Sequence, residues 1–595
     1  MAVATDTLRP GTGSDEEQAG VATRRETIED AVPGVGMLRT YRRKWLRADL
    51  IAGLVLAAIL VPQGMAYAEL AGLPPVTGLY TTIACLVGYA LMGPSRVLVL
   101  GPDSSVSPLI LAAITPLLVT GDPGTAIALA GMLAILVGAV EIAMGIGKLG
   151  FVADLLSSEI QVGYMNGLAI TIVVGQLPKL FGFSTDADAF FDELRSFFTN
   201  LDETNGWALG VGLACLLVML LLPRVSRRIP AVLVAVAGAT VFSALVDLAA
   251  KGVRTVGTLP AGVPRPSLPW TSFSDLGPLL VAAIGITLVS LTDTIATASS
   301  FAARRGDEVK PNREMIGLGA ANVAAGFFQG FAVSTSGSRT AVAEQSGAKS
   351  QVTGLVGAGA VALLLLFLNG LLADLPQSTL AAVVIAAAIA LTNLPELVRY
   401  WRVRRSAFVL SVVATLGVVL FGVLEGIVIA IVLAILMFFR RSWWPRGTVL
   451  GDTDGVDGWH SLEAFPDARV LPGIVVYRWE APLFFANAGA FRQQVREIVR
   501  TQEPRWVVIQ CEAITDIDVT AAEMLTQLDH EVNARGIHLA FAEMRTRVQD
   551  RALKYGMFDT LDRDHFYPTL DAAIVAVRAE DTGTGPTPPP GAIED

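Results

Sequence analysis

Apolar segments separated by short polar loops run through the chain as far as residue 439. They form two sets of seven, with a short third segment in each set: 50–68, 76–92, 104–119, 126–144, 151–177, 207–222 and 229–248, then 276–301, 314–331, 338–346, 352–372, 375–394, 408–421 and 427–439. Such segments predict membrane-spanning helices, because hydrocarbon offers exposed backbone groups no partner. Since each set is odd in number, we expect the second set to be inverted relative to the first.

The composition supports a membrane protein and narrows its chemistry. The 595 residues are 53% hydrophobic and 16% charged, which is too apolar for a soluble enzyme of this length. The net charge of -10 says little about partners in a membrane protein, and we expect no nucleic-acid partner. Cys85, Cys215 and Cys511 are too far apart for a disulfide framework or a zinc site, so we expect no cofactor. All histidines follow the last apolar segment, so any proton or cation coupling in the membrane must use carboxylates.

Basic residues predict the orientation of the chain. Arginine and lysine cluster at 39–47, 224–228, 304–313, 399–405 and 440–446, in loops that alternate with loops poor in cations. The positive-inside rule places these clusters in the cytoplasm. The polar start of the chain also lacks the apolar region of a signal peptide. We therefore expect a multi-pass protein of the plasma membrane with both termini in the cytoplasm.

Two polar breaks interrupt the apolar segments at corresponding places in the two sets. The first, at 97–107, reads Val-Leu-Val-Leu-Gly-Pro-Asp-Ser-Ser-Val-Ser, and the second, at 332–342, reads Ala-Val-Ser-Thr-Ser-Gly-Ser-Arg-Thr-Ala-Val. Paired interruptions of this kind indicate the midplane binding site of a transporter. We therefore predict a carrier rather than an enzyme.

Short helices that begin at these breaks suit an anionic substrate. We expect Ser338 and Arg339 to begin one of them and Ser104 and Ser105 the other. Helix N-termini present free N–H groups and positive dipole ends to an anion. The guanidinium of Arg339 adds a permanent positive charge, which favours a carboxylate, bicarbonate or sulfate.

Nearby carboxylates leave a second interpretation of the arginine open. Arg339 could instead pair with Glu344 or Asp103 and lock the membrane region. Asp103 would also cap the amides of the first short helix and compete with a bound anion, unless it is protonated or turned away. Asp103 is therefore a candidate proton site as well as a candidate member of the anion site.

An intramembrane carboxylate is the candidate for cation coupling. Asp293 lies within the first segment of the second set, and an acid at that depth indicates function. It could take up a proton, or bind Na+ together with Thr294 and Thr297; alternatively, it could pair with Arg339. Three other membrane carboxylates lie nearer to segment ends and are predicted to be interfacial: Glu69, Glu141 and Glu425.

The first apolar segment offers an uncharged donor. Gln63 follows a proline that frees backbone groups, and Tyr67 lies one turn later. Gln63 could hydrogen-bond the substrate while Tyr67 forms an aromatic wall. A hydrogen bond between helices with a packed tyrosine explains the same pattern equally well.

A soluble α/β domain is predicted after residue 446. Buried strands are expected at 474–479, 506–510 and 537–541, and helices at 488–500, 521–535 and 569–578. Thr520, followed by Glu523, matches a capping box, which predicts a helix cap at this hydroxyl.

Several motifs occur in the order found in one known family. They are Pro-Gln-Gly-Met-Ala-Tyr-Ala at 62–68, Ala-Gly-Leu-Pro-Pro at 71–75, Gly-Pro-Asp at 101–103, Ser-Gly-Ser-Arg-Thr at 336–340 and Asp-Ile-Asp-Val-Thr at 516–520. The first four resemble the SulP anion transporter family, which includes sulfate permeases and prestin. The last resembles a loop of the STAS domain, the family's usual cytosolic appendage.

The resemblance implies a fold and a mechanism. The fold is uracil-permease-like: an α-helical polytopic membrane protein with fourteen transmembrane segments in two inverted seven-segment repeats, divided into a substrate-carrying core and a gate, plus a cytosolic α/β STAS domain. It also implies a homodimer and an elevator-like movement of the core. The expected boundaries are a tail at 1–44, a transport domain at 45–444 with repeats at about 45–250 and 270–444, a linker at 445–470, a STAS domain at 471–580 and a disordered tail at 581–595.

The same resemblance assigns roles to individual residues. It implies that the anion contacts Gln63, Tyr67 and the stretch Ser336, Gly337, Ser338 and Arg339. Asp293 matches the family's acidic residue linked to Na+ or H+ coupling, where many members have Glu. Thr520 falls where bacterial STAS relatives carry a phosphorylatable hydroxyl, although Ala521 replaces the glycine usual after it.

We therefore expect a secondary transporter that moves a small oxyanion, sulfate or bicarbonate, by symport with H+ or Na+. Its expected partners are the lipid bilayer, a second copy of the chain and a cytosolic regulator or nucleotide at the STAS domain. Three alternatives stay open: a C4-dicarboxylate carrier, an anion channel and a membrane-anchored signalling module.

Overall fold

The structure is a computed structural model that describes residues 32–118, 122–151, 157–185, 190–226, 230–306, 308–453, 455–559, 561 and 563–581. Most of the predicted tails at 1–44 and 581–595 lies outside the described residues, and within the first of them Pro33–Arg39 is helical. The chain forms two compact units, Met1–Ala434 and Ile435–Asp595.

The first unit is almost entirely helical. Its described helices are α1 (Pro33–Arg39), α2 (Leu46–Leu70), α3 (Pro75–Met92), α4 (Ser107–Ile114), α5 (Pro123–Ile146), α6 (Ser158–Phe181), α7 (Phe190–Thr199), α8 (Gly206–Val225), α9 (Ala231–Val246), α10 (Phe273–Arg305), α11 (Pro311–Phe327), α12 (Gly337–Gln345), α13 (Val352–Phe367), α14 (Gln377–Leu391), α15 (Leu394–Val403), α16 (Arg405–Phe421) and α17 (Val423–Trp443). Every predicted apolar segment overlaps one of these helices; α1, α7 and α15 are short additions.

Among the described helices, eight are long and apolar enough to cross a membrane, and four more are apolar but shorter. The eight lie at Arg43–Leu70, Pro75–Met92, Pro123–Ile146, Ser158–Phe181, Gly206–Val225, Phe273–Arg305, Gln377–Val403 and Val423–Arg440. This confirms a multi-pass membrane protein.

The helices of the first unit pack in two groups. In the first, α5 packs on α10 and α11, α11 on α3, and α13 on α2 and α3. In the second, α6 packs on α14 and α16, while α8 packs on α9 and α14. We call α2 to α5 with α10 to α13 the core helices, and α6, α8, α9, α14, α16 and α17 the gate helices. This grouping agrees with the expected division into core and gate.

Glycine allows a close contact between two core helices, α5 and α11. A Cβ atom at Gly138 of α5 would lie 2.5 Å from the carbonyl oxygen of Gly319 on α11, and one at Gly319 would lie 2.7 Å from the oxygen of Gly138. No larger residue fits this contact without moving a helix. Small residues permit such close backbone approach in membrane helices, and this contact fixes how α5 and α11 are aligned.

Two short strands join the two halves of the first unit. Strand β1 (Leu100–Gly101) precedes α4, and strand β2 (Ser334–Thr335) precedes α12. They pair antiparallel, with Leu100 opposite Thr335 and Gly101 opposite Ser334. Antiparallel pairing of corresponding strands is what inverted repeats produce.

The second unit is an α/β domain. Its sheet has the strand order β4-β3-β5-β6-β7-β8, and its strands are β3 (Gly447–Asp452), β4 (Trp459–Ser461), β5 (Ile474–Trp479), β6 (Trp506–Gln510), β7 (His538–Ala542) and β8 (Phe566–Tyr567). Strands β5 to β8 are parallel, whereas β3 runs antiparallel to β4 and β5. Helices α18 (Ala488–Gln502), α19 (Val519–Asn533) and α20 (Thr546–Lys554) contribute to one apolar cluster, and α21 (Leu570–Asp581) to another.

The region expected to be a linker differs from that expectation. Residues 447–452 and 459–461 form β3 and β4, which extend the sheet beyond β5. Their Gly and Asp content is typical of loops, but pairing with the apolar strand β5 overrides this local preference.

Candidate functional site

The two polar breaks meet in the structure. Pairing of β1 with β2 brings the start of α4 close to the start of α12, although the strands lie far apart in sequence. Val99 accepts a hydrogen bond from the amide of Ser336, and its own amide donates to Thr340 Oγ1 at 3.1 Å. The predicted juxtaposition of the breaks is therefore present.

The short helices begin slightly away from the predicted residues. Ser336 is the N-cap of α12, which begins at Gly337 rather than at Ser338, and its side chain accepts from the Arg339 amide at 3.5 Å. Helix α4 begins at Ser107, so Ser104 and Ser105 lie in the turn before it. Pro102 and the bonds made by Asp103 hold that turn out of helical geometry.

Arg339 is buried and already paired. Its side chain is 1% exposed, and Nη2 lies 3.3 Å from Asp103 Oδ1. Nη1 donates to the carbonyl oxygen of Pro102, and Nη2 lies 3.5 Å from that of Gly101. A Cβ atom at position 101 would lie 3.0 Å from Nη1, so only glycine leaves full room for the guanidinium. The locking interpretation of Arg339 therefore describes the structure, with Asp103 as the partner; Glu344 pairs with Arg305 instead.

Asp103, Ser105 and Asp293 form a hydrogen-bonded row. Asp103 Oδ2 accepts from the amide and the hydroxyl of Ser105, at 3.0 and 2.8 Å. The same hydroxyl oxygen lies 3.0 Å from Asp293 Oδ2. Asp293 is thus one serine away from the Arg339–Asp103 pair, and the alternative that Asp293 pairs directly with Arg339 is not what the structure contains.

One face of α10 lines this region. Asp293 also lies near Gln161 of the gate helix α6. Thr294 is fully buried and accepts from Thr335 Oγ1 of β2 at 3.3 Å. Thr297 lies beside the start of α12, since a Cβ atom at Gly337 would be 3.9 Å from Thr297 Oγ1. The three predicted coupling residues thus face the paired strands and α12.

The predicted anion-binding residues differ in their exposure. Gly337 and Ser338 are exposed and Ser336 is half-buried, so the first turn of α12 is accessible. Ser338 Oγ lies 3.0 Å from Ser336 Oγ. Around the first break, by contrast, Ser104 is only 5% exposed. An anion could therefore approach the start of α12 more readily than the turn before α4.

Helix α2 carries Gln63 and Tyr67, the two candidate substrate contacts of the first apolar segment. Tyr67 is buried and hydrogen-bonds Ser104, with Asp103 and Arg339 close enough to act on it electrostatically. Gln63, one turn earlier, is half-buried. Both lie on the helix that packs beside α4.

Glu141 does not lie at the membrane interface, where the sequence predicts it. It was expected at the interface because it lies near the end of its segment, but it is completely buried in α5. Ser290 Oγ lies 2.7 Å from its Oε1, and Asn322 Nδ2 donates to its Oε2 at 2.8 Å. The sequence offers only one cue to this burial, which is that the acid lies in a helix rich in glycine. Its partners Ser290 and Asn322 come from helices distant in sequence, so the sequence does not reveal them.

In the second unit, Thr520 is exposed and does not cap α19. The cap is Asp518, whose Oδ1 accepts from the amide of Ala521 at 2.8 Å while Oδ2 accepts from that of Phe485, also at 2.8 Å. The capping-box prediction is therefore wrong by two residues. The exposed hydroxyl is free to meet another protein.

Other groups of the second unit are structural. Burial raises the pKa of the Cys511 thiol, which leaves it unreactive at neutral pH. Hydrogen bonds from Arg496 lower the pKa of the Glu531 carboxyl, which also pairs with Arg492. Among the described residues, no group of three or more His, Cys, Asp or Glu side chains could hold a metal ion.

Two packed groups of helices with paired half-helices are the architecture of a helical membrane transporter. Comparison with known proteins identifies which kind. Residues 46–414 match the model of the sulfate permease family, and residues 465–573 match that of the STAS domain. The chain therefore belongs to the sulfate permease family, which confirms the resemblance seen in the motifs.

Curated relatives span almost the whole chain. A probable sulfate transporter of Mycobacterium tuberculosis is 40% identical over 549 residues, covering 92% of this chain and 98% of the relative. The chloroplastic sulfate transporter 4.1 of Arabidopsis thaliana is 29% identical over 568 residues, covering 92% and 82%. These relatives are transporters, in agreement with the expectation that the chain is not an enzyme.

Solved structures share the fold. The overall structure of SLC26A9 has a TM-score of 0.85 at 22% identity, covering 98% of both chains. The transmembrane domain of the cyanobacterial bicarbonate transporter BicA has a TM-score of 0.58 at 22% identity, covering 67% of this chain and 98% of that one. The helical transport fold expected from the sequence is thereby confirmed.

Proposed function

We propose that this protein is a secondary active transporter that carries sulfate across the plasma membrane by symport with protons. The 40% identity to a probable sulfate transporter over nearly the full chain supports the choice of sulfate. The proposed topology has both termini in the cytoplasm, because the basic clusters fall in alternate loops.

The anion site is proposed at the start of α12. Ser336, Gly337 and Ser338 offer hydroxyl groups and first-turn amides at an accessible helix N-terminus, which suits an oxyanion. Gln63 supplies a further donor from α2, and Tyr67 closes the site toward Ser104. Arg339 and Asp103 form a neutral pair that holds the two breaks together, so their role in this proposal is to position the site.

The coupling ion is proposed to be a proton on Asp293. The observation that carries this step is the Ser105 hydroxyl, which lies within 3.0 Å of both Asp103 and Asp293 but has a single hydrogen. If both carboxylates were ionised, one of these oxygen–oxygen contacts would have no hydrogen in it. Asp103 lies 3.3 Å from the guanidinium of Arg339, whereas Asp293 has no such partner among the described residues, so the proton is assigned to Asp293.

The transport movement is proposed to be elevator-like. The breaks and α10 belong to the core helices, and Asp293 meets the gate helices through Gln161. Loss of the proton would leave an ion beside apolar gate residues, which disfavours sliding of the core past the gate. A protonated Asp293 removes that barrier, so proton and anion would move together.

Three further features belong to the proposal. The STAS domain regulates transport by binding a cytosolic regulator or nucleotide, and the exposed Thr520 is a candidate for phosphorylation. The protein works as a homodimer. The boundaries of the STAS domain are proposed at about 471–580, with β3 and β4 packed on its edge.

Uptake into proteoliposomes tests the proposal. Labelled sulfate, bicarbonate and succinate are supplied separately, each under an imposed H+ gradient and an imposed Na+ gradient. We expect sulfate to accumulate under the H+ gradient. Accumulation driven only by Na+ would contradict the proton assignment, a preference for succinate would favour a dicarboxylate carrier, and gradient-independent flux would favour a channel.

A further inference from the structure

Glu141 is a second buried acid, separate from the row that contains Asp293. It is 0% exposed on α5 and touches Ser290 of α10 and Asn322 of α11. Among the described residues, no basic side chain pairs with it. An isolated ionised carboxylate is strongly disfavoured in such surroundings.

The hydrogen bonds of Ser290 show where a proton resides. Ser290 Oγ lies 2.7 Å from Glu141 Oε1 and 3.1 Å from the carbonyl oxygen of Thr287. A hydroxyl has one hydrogen, and a carbonyl oxygen can only accept. Both contacts are satisfied when Glu141 Oε1 carries a proton and donates to Ser290, which in turn donates to Thr287.

Asn322 fixes the other oxygen of Glu141 as an acceptor. The amide of Val333 donates to Asn322 Oδ1 at 2.7 Å, so the NH2 group of Asn322 must face Glu141. This group donates to Glu141 Oε2 at 2.8 Å and lies 3.5 Å from the carbonyl oxygen of Val333. Both sides thus favour a proton on Oε1 rather than on Oε2.

The charged groups on the helices packed against Glu141 have other partners. On α10, Asp293 binds Ser105, Arg304 lies over Phe301, Arg305 pairs with Glu344 and Asp275 belongs to the helix cap. On α11, Glu314 accepts from Tyr89 and from Ser95, and Arg313 lies near the start of the helix, about nine residues (roughly 13 Å) from Asn322. Glu141 therefore titrates without a direct ionic partner.

The network reaches the anion site through the backbone. Val333 immediately precedes β2, and Asn322 holds both its amide and its carbonyl group. Strand β2 leads directly into Ser336, the cap of α12. Gly138 and Gly319, which form the close contact between α5 and α11, each lie three residues before Glu141 and Asn322.

We propose that Glu141 is a second proton-binding residue of the transport domain, and that its proton, through Asn322, holds β2 where it presents the start of α12 to the anion. Glu141 is a positioning residue, since it does not touch the proposed anion site. The effect on anion binding rests on the proposed function, whereas the bound proton does not.

Infrared difference spectroscopy of the full-length protein in lipid vesicles tests the proton itself. A protonated carboxylic acid has a C=O stretch separate from the carboxylate bands, and the stretch shifts in D2O. We expect the difference spectrum of wild type minus Glu141→Gln to contain the carboxylic-acid C=O band at neutral pH. The Asp293→Asn variant, which keeps Glu141, should retain the part of this band that comes from Glu141. Carboxylate bands in that difference, with no carboxylic-acid band, would overturn the proposal.

Sulfate binding at several pH values tests the positioning role. Gln at position 141 can donate to Ser290 and accept from Asn322, as protonated Glu does, so we expect an affinity within about 3-fold of wild type at low pH. As pH rises, the affinity of this variant should decline less than that of wild type, because Asp293 is then the remaining proton site. Wild type should lose affinity as Glu141 ionises. Glu141→Leu leaves Asn322 unpaired and should weaken binding about 10-fold or more at every pH.

Two results of this assay would overturn the positioning role: a Gln variant as weak as the Leu variant, or a Gln variant with the pH profile of wild type. If wild type itself binds no sulfate, the proposed function fails, while the infrared measurement still decides whether Glu141 is protonated. Both variants are compared at equal folded amounts by size-exclusion chromatography.

Discussion

The Arg339–Asp103 pair provides a quantitative prediction about how the two breaks are held together. Arg339 is 1% exposed, and its guanidinium contacts one carboxylate and two backbone carbonyl oxygens. In Arg339→Met, Asp103 stays buried with no opposite charge. Loss of one partner of a buried pair costs about 3–5 kcal/mol of stability.

Removing the second charge should recover most of this loss. Asp103→Asn in the Arg339→Met background leaves a neutral side chain that still accepts from Ser105, and replacement of both members of a buried ion pair is often close to neutral. The carbonyl groups of Gly101 and Pro102 still lack a donor, at about 1–3 kcal/mol. We therefore expect the double variant to be clearly more stable than Arg339→Met alone.

The coupling energy between Arg339 and Asp103 is obtained from equilibrium unfolding of wild type, Arg339→Met, Asp103→Asn and the double variant. Unfolding is carried out in lipid–detergent micelles and followed by tryptophan fluorescence. Conservative Arg339→Lys is a matched control that keeps the charge but cannot reach all three acceptors, so it should fall between wild type and Arg339→Met. A double variant no more stable than Arg339→Met would refute the reasoning, because it would mean that the unpaired Asp103 contributes nothing to the loss.

Three further predictions concern stability. Gly138→Ala places a methyl group 2.5 Å from a carbonyl oxygen of the facing helix and should cost about 1–3 kcal/mol, whereas Gly359→Ala, which has open space, should be tolerated in the same unfolding assay. Asp518→Ala should cost about 1 kcal/mol through loss of the α19 cap, with Thr520→Ala near wild type in a thermal melt. The Glu531 carboxyl has a pKa lowered by hydrogen bonds from its arginine partners. Its stabilisation is present above the unfolded pKa and lost as pH falls through the folded one, so Glu531→Gln should flatten the acid side of the pH–stability curve by about 1 kcal/mol or less.

Much of the fold could be predicted because membrane helices carry their own signal. Each apolar segment becomes a helix wherever hydrocarbon surrounds it, and the breaks at 97–107 and 332–342 mark where this regularity ends. The buried strands at 474–479 and 506–510 were equally clear, because unbroken apolar runs are typical of strands covered on both faces. Strands β3 and β4, at one end of the sheet, are not predicted by the sequence, since such short strands are defined by their neighbours.

The site was predictable in its residue types but only partly in its pairings. The sequence indicates that Arg339, Asp103 and Asp293 lie at membrane depth, yet leaves three pairings open for Arg339. The structure selects Asp103, because β1 and β2 are adjacent. The prediction of an interfacial position for Glu141 failed for another reason. A residue near the end of an apolar segment is still buried when a neighbouring core helix covers that end.

The most direct test of proton coupling compares two kinds of sulfate flux in Asp293→Asn. Accumulation against a gradient needs proton release, whereas exchange of labelled for unlabelled sulfate needs only movement of the sulfate-loaded core with an uncharged side chain at position 293. We expect Asp293→Asn to retain exchange while losing accumulation driven by an H+ gradient, and Asp202→Asn, an exposed control on the surface, to retain both. Accumulation by Asp293→Asn equal to that of wild type would contradict the account.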